Sequence, residues 1–392
     1  RREEVLRNHW FFSQEVGKEE ALASDFQREN WQAIQVPHDW SIYNDFDQYS
    51  PAQNEGGQLN GGQAWYWTQF YLEEDASLVS VHLLFDGVYM NAQVYINGQV
   101  LGYYPNGYTP FSYDITPYLR NDGTANQLAV FVENQQPSSR WYSGSGIYRE
   151  VRLLIADSVH LDLYGIKIES PKLKEQRDGW VETQLTSKVS NNGPQSVSVY
   201  LEQSIWYDGQ QLSDWQATDF LVIESGDKYS FQQAISIFQP LLWDIDHPYL
   251  YQLKTRLYKN GILVDEEEET FGYRYMDWQA NKGFFLNGRW LKIHGVCLHH
   301  DYGALGAVEN RSAAERRLCQ MKEMGVNAIR ITHNPASSIL LDLAAKMGLL
   351  IQEEAFDTWY GGKKEYDYGR FFEEEATHPE AKAGDFWSDY DL

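Results

Sequence analysis

The sequence has little cysteine, few basic residues and no long apolar run, and each shortage excludes a class of protein. Two cysteines, Cys297 and Cys319, are too few for a disulfide framework or a cysteine-based zinc site. Thirty-two Lys and Arg against 56 Asp and Glu give a formal net charge of −24. Nucleic acid and anionic membranes are therefore excluded as partners, because phosphate binding needs clustered cations. The apolar runs also fall far short of the roughly 18–20 residues of a membrane-spanning helix, so no membrane insertion is expected.

Several local signatures of chemistry are missing as well. No H-x-x-x-H or similar ligand spacing occurs, no glycine-rich loop opens a helix, and no serine nucleophile elbow is present. Aromatic residues are plentiful instead, with 14 Trp and 27 Tyr. Such rings pack the cores of β-sandwiches or, when exposed, stack against sugars. A neutral substrate fits this composition.

The first two-thirds of the chain predicts two all-β regions. In residues 1–156, alternating apolar residues over 79–104 surround an Asn97-Gly98 hairpin turn, and further strands follow at 127–134 and 143–155. A jelly-roll or sandwich accommodates so many short strands. Residues 157–272 repeat the alternation over roughly the length of an immunoglobulin-like module.

Residues 273–392 change to alternating strands and helices. A near-continuous apolar run, LKIHGVCLHHD (291–301), predicts a strand covered on both faces. Helix-spaced apolar residues at 311–324 and 336–347 each end at a glycine, and strands are predicted at 327–333 and 349–357. This β-α-β-α-β order with short connections predicts parallel strands and right-handed crossovers.

Polar residues lie where each of these three strands ends. The sets are His299-His300-Asp301 after the first strand, Arg330 with His333-Asn334 at the second, and Glu353-Glu354 with Asp357 at the third. Ligand sites of parallel α/β folds form at the carboxyl edge of the sheet, which favours a site here. The alternative is three solvated strand ends. Because histidines and carboxylates converge, a metal site also stays open.

Five segments resemble successive motifs of glycoside hydrolase family 2, and among its members they look most like those of β-galactosidases. The segments are FDGVYMNAQVYINGQVLGY, SGIYREVRL, HGVCLHHDYGALG, NAIRITHNP and QEEAFDTWYGGK. The resemblance implies a multidomain fold: a jelly-roll sugar-binding domain (1–156), an immunoglobulin-like β-sandwich (157–272) and the first part of a (β/α)₈ TIM barrel (273–392).

The resemblance also implies roles for individual residues. His299 and His333, with Asn334 beside the latter, match positions that contact the sugar. Arg330 matches an arginine that hydrogen-bonds the nucleophilic carboxylate and holds it ionised. Arg140 matches a first-domain position that reaches into the sugar pocket.

Other positions carry weaker implications. Trp65 lies near a first-domain loop that reaches the pocket, with core packing as the alternative, and Glu354 is expected at the barrel mouth. Asp357 and Trp359 align with a Glu and a His that bind magnesium in some members. Tryptophan cannot ligate a metal, so a Mg²⁺ or Na⁺ requirement is in doubt, and Trp359 is expected to pack against substrate instead.

The resemblance implies a retaining mechanism, in which one carboxylate is the nucleophile and a second is the acid–base catalyst. Neither carboxylate is recognised in the sequence. The family's acid–base glutamate follows an asparagine, but no Asn occurs after Asn334. A complete barrel takes about 250 residues, so we expect an incomplete one, both catalytic glutamates beyond Leu392, and no activity of this chain alone. Glu353 and Glu354 point to opposite faces of a strand and cannot both enter one site. The run Glu373–Glu375 reads as a solvated loop.

The resulting hypothesis is a retaining glycoside hydrolase that releases terminal β-D-galactose from galactosides or glycans. A β-glucuronidase or β-mannosidase of the same architecture is the alternative among enzymes, and a non-catalytic carbohydrate-binding protein is the alternative outside them. The full-length protein could be a homo-oligomer. Composition fits a bacterial cytoplasm or a cell-surface or secreted location equally.

Overall fold

The computed structural model describes residues 1–23, 29–355, 357 and 364–366. Trp359 and Glu373–Glu375 lie outside the described residues. Within them, the chain forms two antiparallel sandwiches followed by a short parallel sheet with helices.

Residues 1–156, the first region, form two antiparallel sheets packed face to face. One has the strand order β1-β10-β5-β8 and the other β3-β2-β4-β9-β6-β7. The elements are β1 (Arg2–Val5), β2 (Trp10–Ser13), α1 (Lys18–Ala21), β3 (Gln32–Ile34), β4 (Gly62–Phe70), β5 (Val79–Phe85), β6 (Ala92–Ile96), β7 (Gln99–Tyr104), β8 (Phe111–Asp114), β9 (Asn126–Asn134) and β10 (Val151–Asp157).

Alternation along the strands builds the core between these sheets. Buried side chains such as Trp10, Tyr66 and Phe85 belong to one apolar cluster. The predicted hairpin joins β6 to β7, and Asn97 and Gly98 have φ values of 50° and 80°. Positive φ at two successive residues is what a tight Asn-Gly hairpin turn requires.

Residues 157–272, the second region, form a smaller sandwich. A three-stranded sheet, β11-β12-β17, faces a sheet built around β13, β18 and β19, and two apolar clusters fill the space between them. The elements are β11 (Val159–Glu169), α2 (Leu173–Gln176), β12 (Trp180–Asn191), β13 (Val197–Tyr207), β14 (Gln210–Gln211), β15 (Gln216–Ala217), β16 (Leu221–Ile223), β17 (Lys228–Phe238), β18 (Tyr251–Lys259) and β19 (Ile262–Phe271). The predicted boundaries at 156 and 272 lie within one residue of the ends of β10 and β19, and we propose them as domain boundaries.

The described part of residues 273–392, the third region, opens with a small antiparallel sheet. The parallel sheet β23-β24-β25 follows, with α3 and α4 as its crossovers. The elements are β20 (Met276–Gln279), β21 (Gly283–Leu286), β22 (Arg289–Trp290), β23 (Gly295–Leu298), α3 (Arg311–Glu323), β24 (Ala328–Ile331), α4 (Ser338–Met347) and β25 (Leu350–Gln352). Parallel pairing confirms the predicted order of strands and helices.

Local capping explains where both helices begin. The Asn310 side chain accepts a hydrogen bond from the amide of Ala313, and Ser337 does the same for Leu340. Gly348 ends α4 in the left-handed conformation, with φ 70°. Short 3₁₀ helices lie at Ser41–Tyr43, Thr116–Tyr118 and Gly303–Leu305.

One expectation about the parallel sheet is wrong. Strand β23 is not covered on both faces: Val296 and Leu298 pack against the helix cluster, but Gly295 and Cys297 are exposed. Its two ends also fall inside the predicted range of 291–301. The apolar run therefore predicted more burial than the structure shows. Among the described residues, only the side of β23 that faces the helices is covered.

Buried polar contacts fix the first region against the third. The Asp39 carboxylate accepts hydrogen bonds from the amides of Ser145 (2.9 Å) and Ala307 (2.9 Å) and from the Tyr142 hydroxyl (2.6 Å). Arg149, also buried, donates to the Pro335 carbonyl oxygen at 3.1 Å. These contacts hold first-region loops over the carboxyl ends of β23 and β24.

Across the described residues, none of the helices has both the length and the apolar surface that spanning a membrane would demand.

Candidate functional site

A cavity of about 240 Å³ lies where the carboxyl ends of β23 and β24 meet a loop of the first region. Six residues singled out from the sequence line it: His299, His300, His333, Asn334, Arg140 and Asp357. The remaining described lining residues are Glu55, Tyr108, Ser139, Trp141 and Thr332. The structure therefore brings together distant parts of the chain, and the hydrogen-bonded pair Arg140 and Asp357 alone is 217 positions apart.

Two stacked rings form one wall of this cavity. The imidazole of His299 lies parallel to the indole of Trp141, with ring centroids 4.2 Å apart and an interplanar angle of 5°. The His333 ring meets His299 edge-on, at 5.8 Å. Burial lowers the pKa of His299, and the neighbouring His333 lowers it further. A neutral imidazole presents one donor and one acceptor, which suits a hydroxyl group.

Trp141 is held in place by a residue of the parallel sheet edge. Its indole Nε1 donates to Asp301 Oδ1 at 2.8 Å, and the Asp301 carbonyl oxygen accepts a hydrogen bond from Arg317 at 2.5 Å. Asp301 thus positions the ring that stacks on His299.

Arg140 and Asp357 form the polar side of the cavity. Arg140 Nε donates to Asp357 Oδ2 at 3.1 Å, and its Nη2 donates to the other carboxylate oxygen. Such a bidentate pair fixes both side chains. The backbone amide of Asp357 donates to Asn334 Oδ1 at 3.3 Å, which ties the pair to the end of β24.

The described residues do not fit a metal at this position. The Asp357 carboxylate, which the resemblance aligns with a magnesium ligand, is engaged by the Arg140 guanidinium instead. Trp359 lies outside the described residues. Among the residues that the structure describes, no group of three or more His, Cys, Asp or Glu side chains is arranged to hold a metal ion.

The Glu354 side chain, just after β25, makes hydrogen bonds to residues of β24 and of the segment that follows it. Its Oε1 accepts from Arg330 Nε at 2.7 Å, and its Oε2 lies 2.7 Å from His333 Nδ1. Burial raises the pKa of Glu354, but the hydrogen bonds from His333 and Arg330 outweigh it and lower the pKa overall. The contact with Glu354 fixes the direction of the His333 ring.

The structure separates the two neighbouring glutamates. Glu353 Oε1 accepts a hydrogen bond from the backbone amide of Ala336 at 2.6 Å, away from the Arg330 contact of Glu354. Both glutamates follow β25, which ends at Gln352 and is shorter than the predicted strand 349–357, so these contacts set their separate directions. Arg330 is occupied by Glu354 in this structure, so its role toward a nucleophile stays a prediction.

His300 lines the cavity and packs the first and third regions together. Its Nε2 is 3.1 Å from the Ser143 carbonyl oxygen, and its ring meets Tyr108 edge-on at 5.2 Å. Burial lowers the pKa of His300 to about 4. The ring is therefore neutral, and it donates from Nε2 to the carbonyl oxygen.

The prediction that Trp65 contacts substrate is corrected by the structure. Trp65 is 5% exposed and packs against Tyr95 and Phe131 in a separate apolar cluster. On β4, Tyr66 faces the core between the two sheets, so Trp65 points to the opposite side. Its environment is a hydrophobic core, which was the alternative interpretation of this residue.

Sequence reasoning missed the residue with the closest contact to His299. Trp141 follows Arg140 directly, but 160 positions separate it from Asp301, its hydrogen-bond partner beside His299, and no local pattern connects the two segments. The position of Trp141 next to Arg140 was the one feature of the sequence that could have pointed to it. Tyr108 and Glu55, which lie on two other loops, were also not predicted as site residues.

Three family models match consecutive parts of the chain. They describe the sugar binding domain of glycosyl hydrolases family 2 at residues 4–156, glycosyl hydrolases family 2 at 161–274 and the TIM barrel domain of the same family at 279–383. Together they account for nearly all of the sequence, in the order that the resemblance implies.

Similar proteins belong to the same family. The chain is 41% identical to the β-galactosidase BoGH2A of Bacteroides ovatus over 91% of its own length and 41% of that protein. A family 2 glycosyl hydrolase from Bacteroides cellulosilyticus superposes with a TM-score of 0.89 at 33% identity, over 95% of this chain and 48% of that one. A β-glucuronidase from Bacteroides uniformis gives 0.81 at 29% identity, over 90% of this chain and 42% of that one.

The chain thus spans less than half the length of each of these relatives. The matching models, the sandwich-sandwich-barrel order and the residues gathered at the sheet edge agree, and the chain belongs to glycosyl hydrolases family 2.

Proposed function

We propose that this protein is a retaining β-galactosidase, and that these residues form the wall of its active site that holds the terminal galactose. One observation carries the proposal: the Trp141–His299 stack and the Arg140–Asp357 pair line one cavity at the carboxyl edge of a parallel sheet. The stacked rings offer an apolar surface for a sugar face. The neutral imidazole and the paired polar groups offer donors and acceptors for its hydroxyls.

In a retaining mechanism, one carboxylate attacks the anomeric carbon while a second donates a proton to the leaving oxygen. We propose that both come from polypeptide outside these 392 residues. Glu354 does not serve as the acid, because the Arg330 and His333 contacts hold it ionised. Its proposed role is to fix the tautomer and direction of His333.

The charge balance of the cavity supports a neutral galactoside over a glucuronide. Arg140 is the one Lys or Arg among the described lining residues, and its guanidinium is already paired with Asp357. Recognition of a sugar carboxylate would need further positive charge. Because a β-glucuronidase is among the similar proteins, hydrolysis of β-glucuronides is the second candidate activity.

The test compares hydrolysis of nitrophenyl β-galactoside, β-glucuronide and β-mannoside by the whole protein. We expect the largest kcat/KM on the galactoside, and a higher KM in Trp141→Ala. Trp180→Ala, which removes an exposed indole of the second region, is the matched control. A larger kcat/KM on the glucuronide would refute the assignment.

The location of the carboxylates has its own test. The 392-residue chain, checked by intact mass, is expected to bind galactose without turning over the nitrophenyl galactoside. Turnover by this chain alone would show that the carboxylates lie within it. Absence of galactose affinity in both the chain and the whole protein would count against the sugar-binding wall itself.

A further inference from the structure

Residues 43–61, which run from the last residue of a 3₁₀ helix to the start of β4, form a loop with unusually exposed aromatic side chains. Tyr43, Phe46 and Tyr49 are 75%, 80% and 83% exposed, the highest values of any aromatic residue among those the structure describes. Single exposed rings are ordinary on a protein surface. Tyr43 stacks on His38, whereas Phe46 and Tyr49 line one cavity together, and exposed apolar groups gathered in this way mark interaction sites.

The backbone of the loop is held by hydrogen bonds that do not involve the rings of Phe46 and Tyr49. The Asp47 amide donates to the Gln58 carbonyl oxygen at 2.9 Å, and Asp47 Oδ1 accepts from the Tyr49 amide at 2.8 Å. At its far end, the Gly61 amide donates to Gln136 Oε1 at 2.9 Å. The rings therefore project from a fixed backbone, which lowers the entropy cost of binding a ligand.

Phe46 and Tyr49 stand beside a cavity of about 790 Å³ that is rich in amide side chains. The amides belong to Gln14, Asn44, Gln48, Gln58 and Asn60. Each amide carries both donors and an acceptor, which matches the hydroxyl groups of a sugar. The described lining contains Asp45 and Asp47 but no Lys or Arg, so an anionic ligand is disfavoured.

The same loop reaches the galactose cavity. Glu55 lines that cavity beside Trp141 and His299, and its carboxylate pairs with Lys364. Glu55 comes six positions after Tyr49 in the chain, so the two lie within about 22 Å even for an extended chain. An oligosaccharide of a few units covers such a distance.

We propose that loop 43–61 binds the outer sugars of a neutral oligosaccharide whose terminal galactose lies in the Trp141–His299 cavity. This inference rests on the proposed function and narrows its substrate class to extended, uncharged glycans. Phe46 and Tyr49 stack against sugar faces, and the amides bind the hydroxyls between them. The cleaved bond lies between the terminal galactose and the sugars held by the loop.

The experiment compares kcat/KM on nitrophenyl β-galactoside with kcat/KM on the three galactotetraoses joined by β-1,3, β-1,4 or β-1,6 linkages, using the whole protein. In the double variant Phe46→Ala/Tyr49→Ala, the ratio of tetraose to nitrophenyl galactoside is expected to fall about tenfold for the preferred tetraose, which corresponds to about 1.4 kcal/mol. The ring-retaining variant Phe46→Tyr/Tyr49→Phe should keep the wild-type ratio.

Tyr71→Ala is the matched control. Tyr71 is an exposed tyrosine just beyond the other end of β4, about 30 Å along the strand from the loop. An unchanged ratio in the double alanine variant would overturn the inference, as would an equal fall in Tyr71→Ala or in the ring-retaining variant.

Failure of the proposed function gives a different result. If the whole protein does not cleave the nitrophenyl galactoside, the function falls, and the loop is judged by calorimetric binding of the same tetraoses. Binding that weakens about tenfold in the double alanine variant, but not in Tyr71→Ala, supports the loop as a sugar platform. Binding of none of the three tetraoses overturns it.

Discussion

His300 makes the protein sensitive to mild acid, because burial lowers the pKa of this residue from 6.5 to about 4. The folded state therefore keeps the ring neutral where the unfolded chain binds a proton. The associated stability is fully present above pH 6.5 and is lost as the pH falls toward 4. Below pH 4 the folded protein also binds the proton, and the loss levels off.

The size of this effect follows from the two pKa values. Between pH 7 and pH 5, protonation of the ring stabilises the unfolded state by about 2 kcal/mol relative to the folded state, whose ring stays neutral. The His300 side chain keeps some solvent-accessible surface, so this figure is an upper value. His38, whose pKa burial also lowers to about 4, adds to the total acid sensitivity.

The variant His300→Gln isolates the contribution of one ring. The glutamine amide can still donate to the Ser143 carbonyl oxygen, but it does not titrate. Urea unfolding followed by tryptophan fluorescence, at pH 7 and pH 5, should show that the variant loses about 2 kcal/mol less than the wild type over this interval. His247→Gln, at an exposed position, is the control and should follow the wild type.

The wild-type loss includes every other titrating group, so only the difference between the two proteins is informative. If His300→Gln loses as much stability between pH 7 and pH 5 as the wild type, the ring is not neutral and buried as the structure places it. Burial of this ring would then not be a cause of the acid sensitivity.

Three further predictions concern the contacts around the site. Asp39→Ala leaves buried donors of Ser145, Ala307 and Tyr142 without an acceptor, so urea unfolding should show a loss on the order of 3 kcal/mol, and a loss below about 1 kcal/mol would contradict it. Glu354→Gln should lower Tm at pH 7, and the difference in Tm from the wild type should narrow below pH 4.5, because a carboxyl group with a lowered pKa stabilises the fold only while it is ionised. A difference in Tm that stays constant with pH would count against this. Arg140→Lys loses the bidentate contact with Asp357, so KM for the galactoside should rise about tenfold with a smaller change in kcat, and an unchanged KM would remove Arg140 from sugar binding.

Part of the candidate site was predictable because the chain itself orders it. In a β-α-β-α-β segment, the ends of successive parallel strands share one edge, so His299, His333 and Glu354 had to lie near one another. This inference needs only the spacing of apolar residues and the rule for connecting parallel strands.

The part that failed involves contacts between distant segments. Trp65 and Trp141 are both tryptophans in first-region segments, yet one is buried in a core and the other stacks on His299. Composition cannot distinguish them, because the outcome depends on which face of a strand or loop meets another region. The expected coverage of β23 failed for the same reason, since burial depends on what packs against each face.

The sequence by itself therefore determined the family, the order of the three regions and the strand ends that carry polar residues, because periodicity and local motifs are encoded over short stretches. Only the tertiary structure decided that Arg140 pairs with Asp357, that Arg330 and His333 share Glu354, and that the aromatic loop 43–61 adjoins the cavity. The hydrogen bonds of Arg140, Arg330 and His333 alone join residues from 21 to 217 positions apart. They are formed when the sandwich loops pack onto the sheet edge, and no short-range pattern encodes that packing.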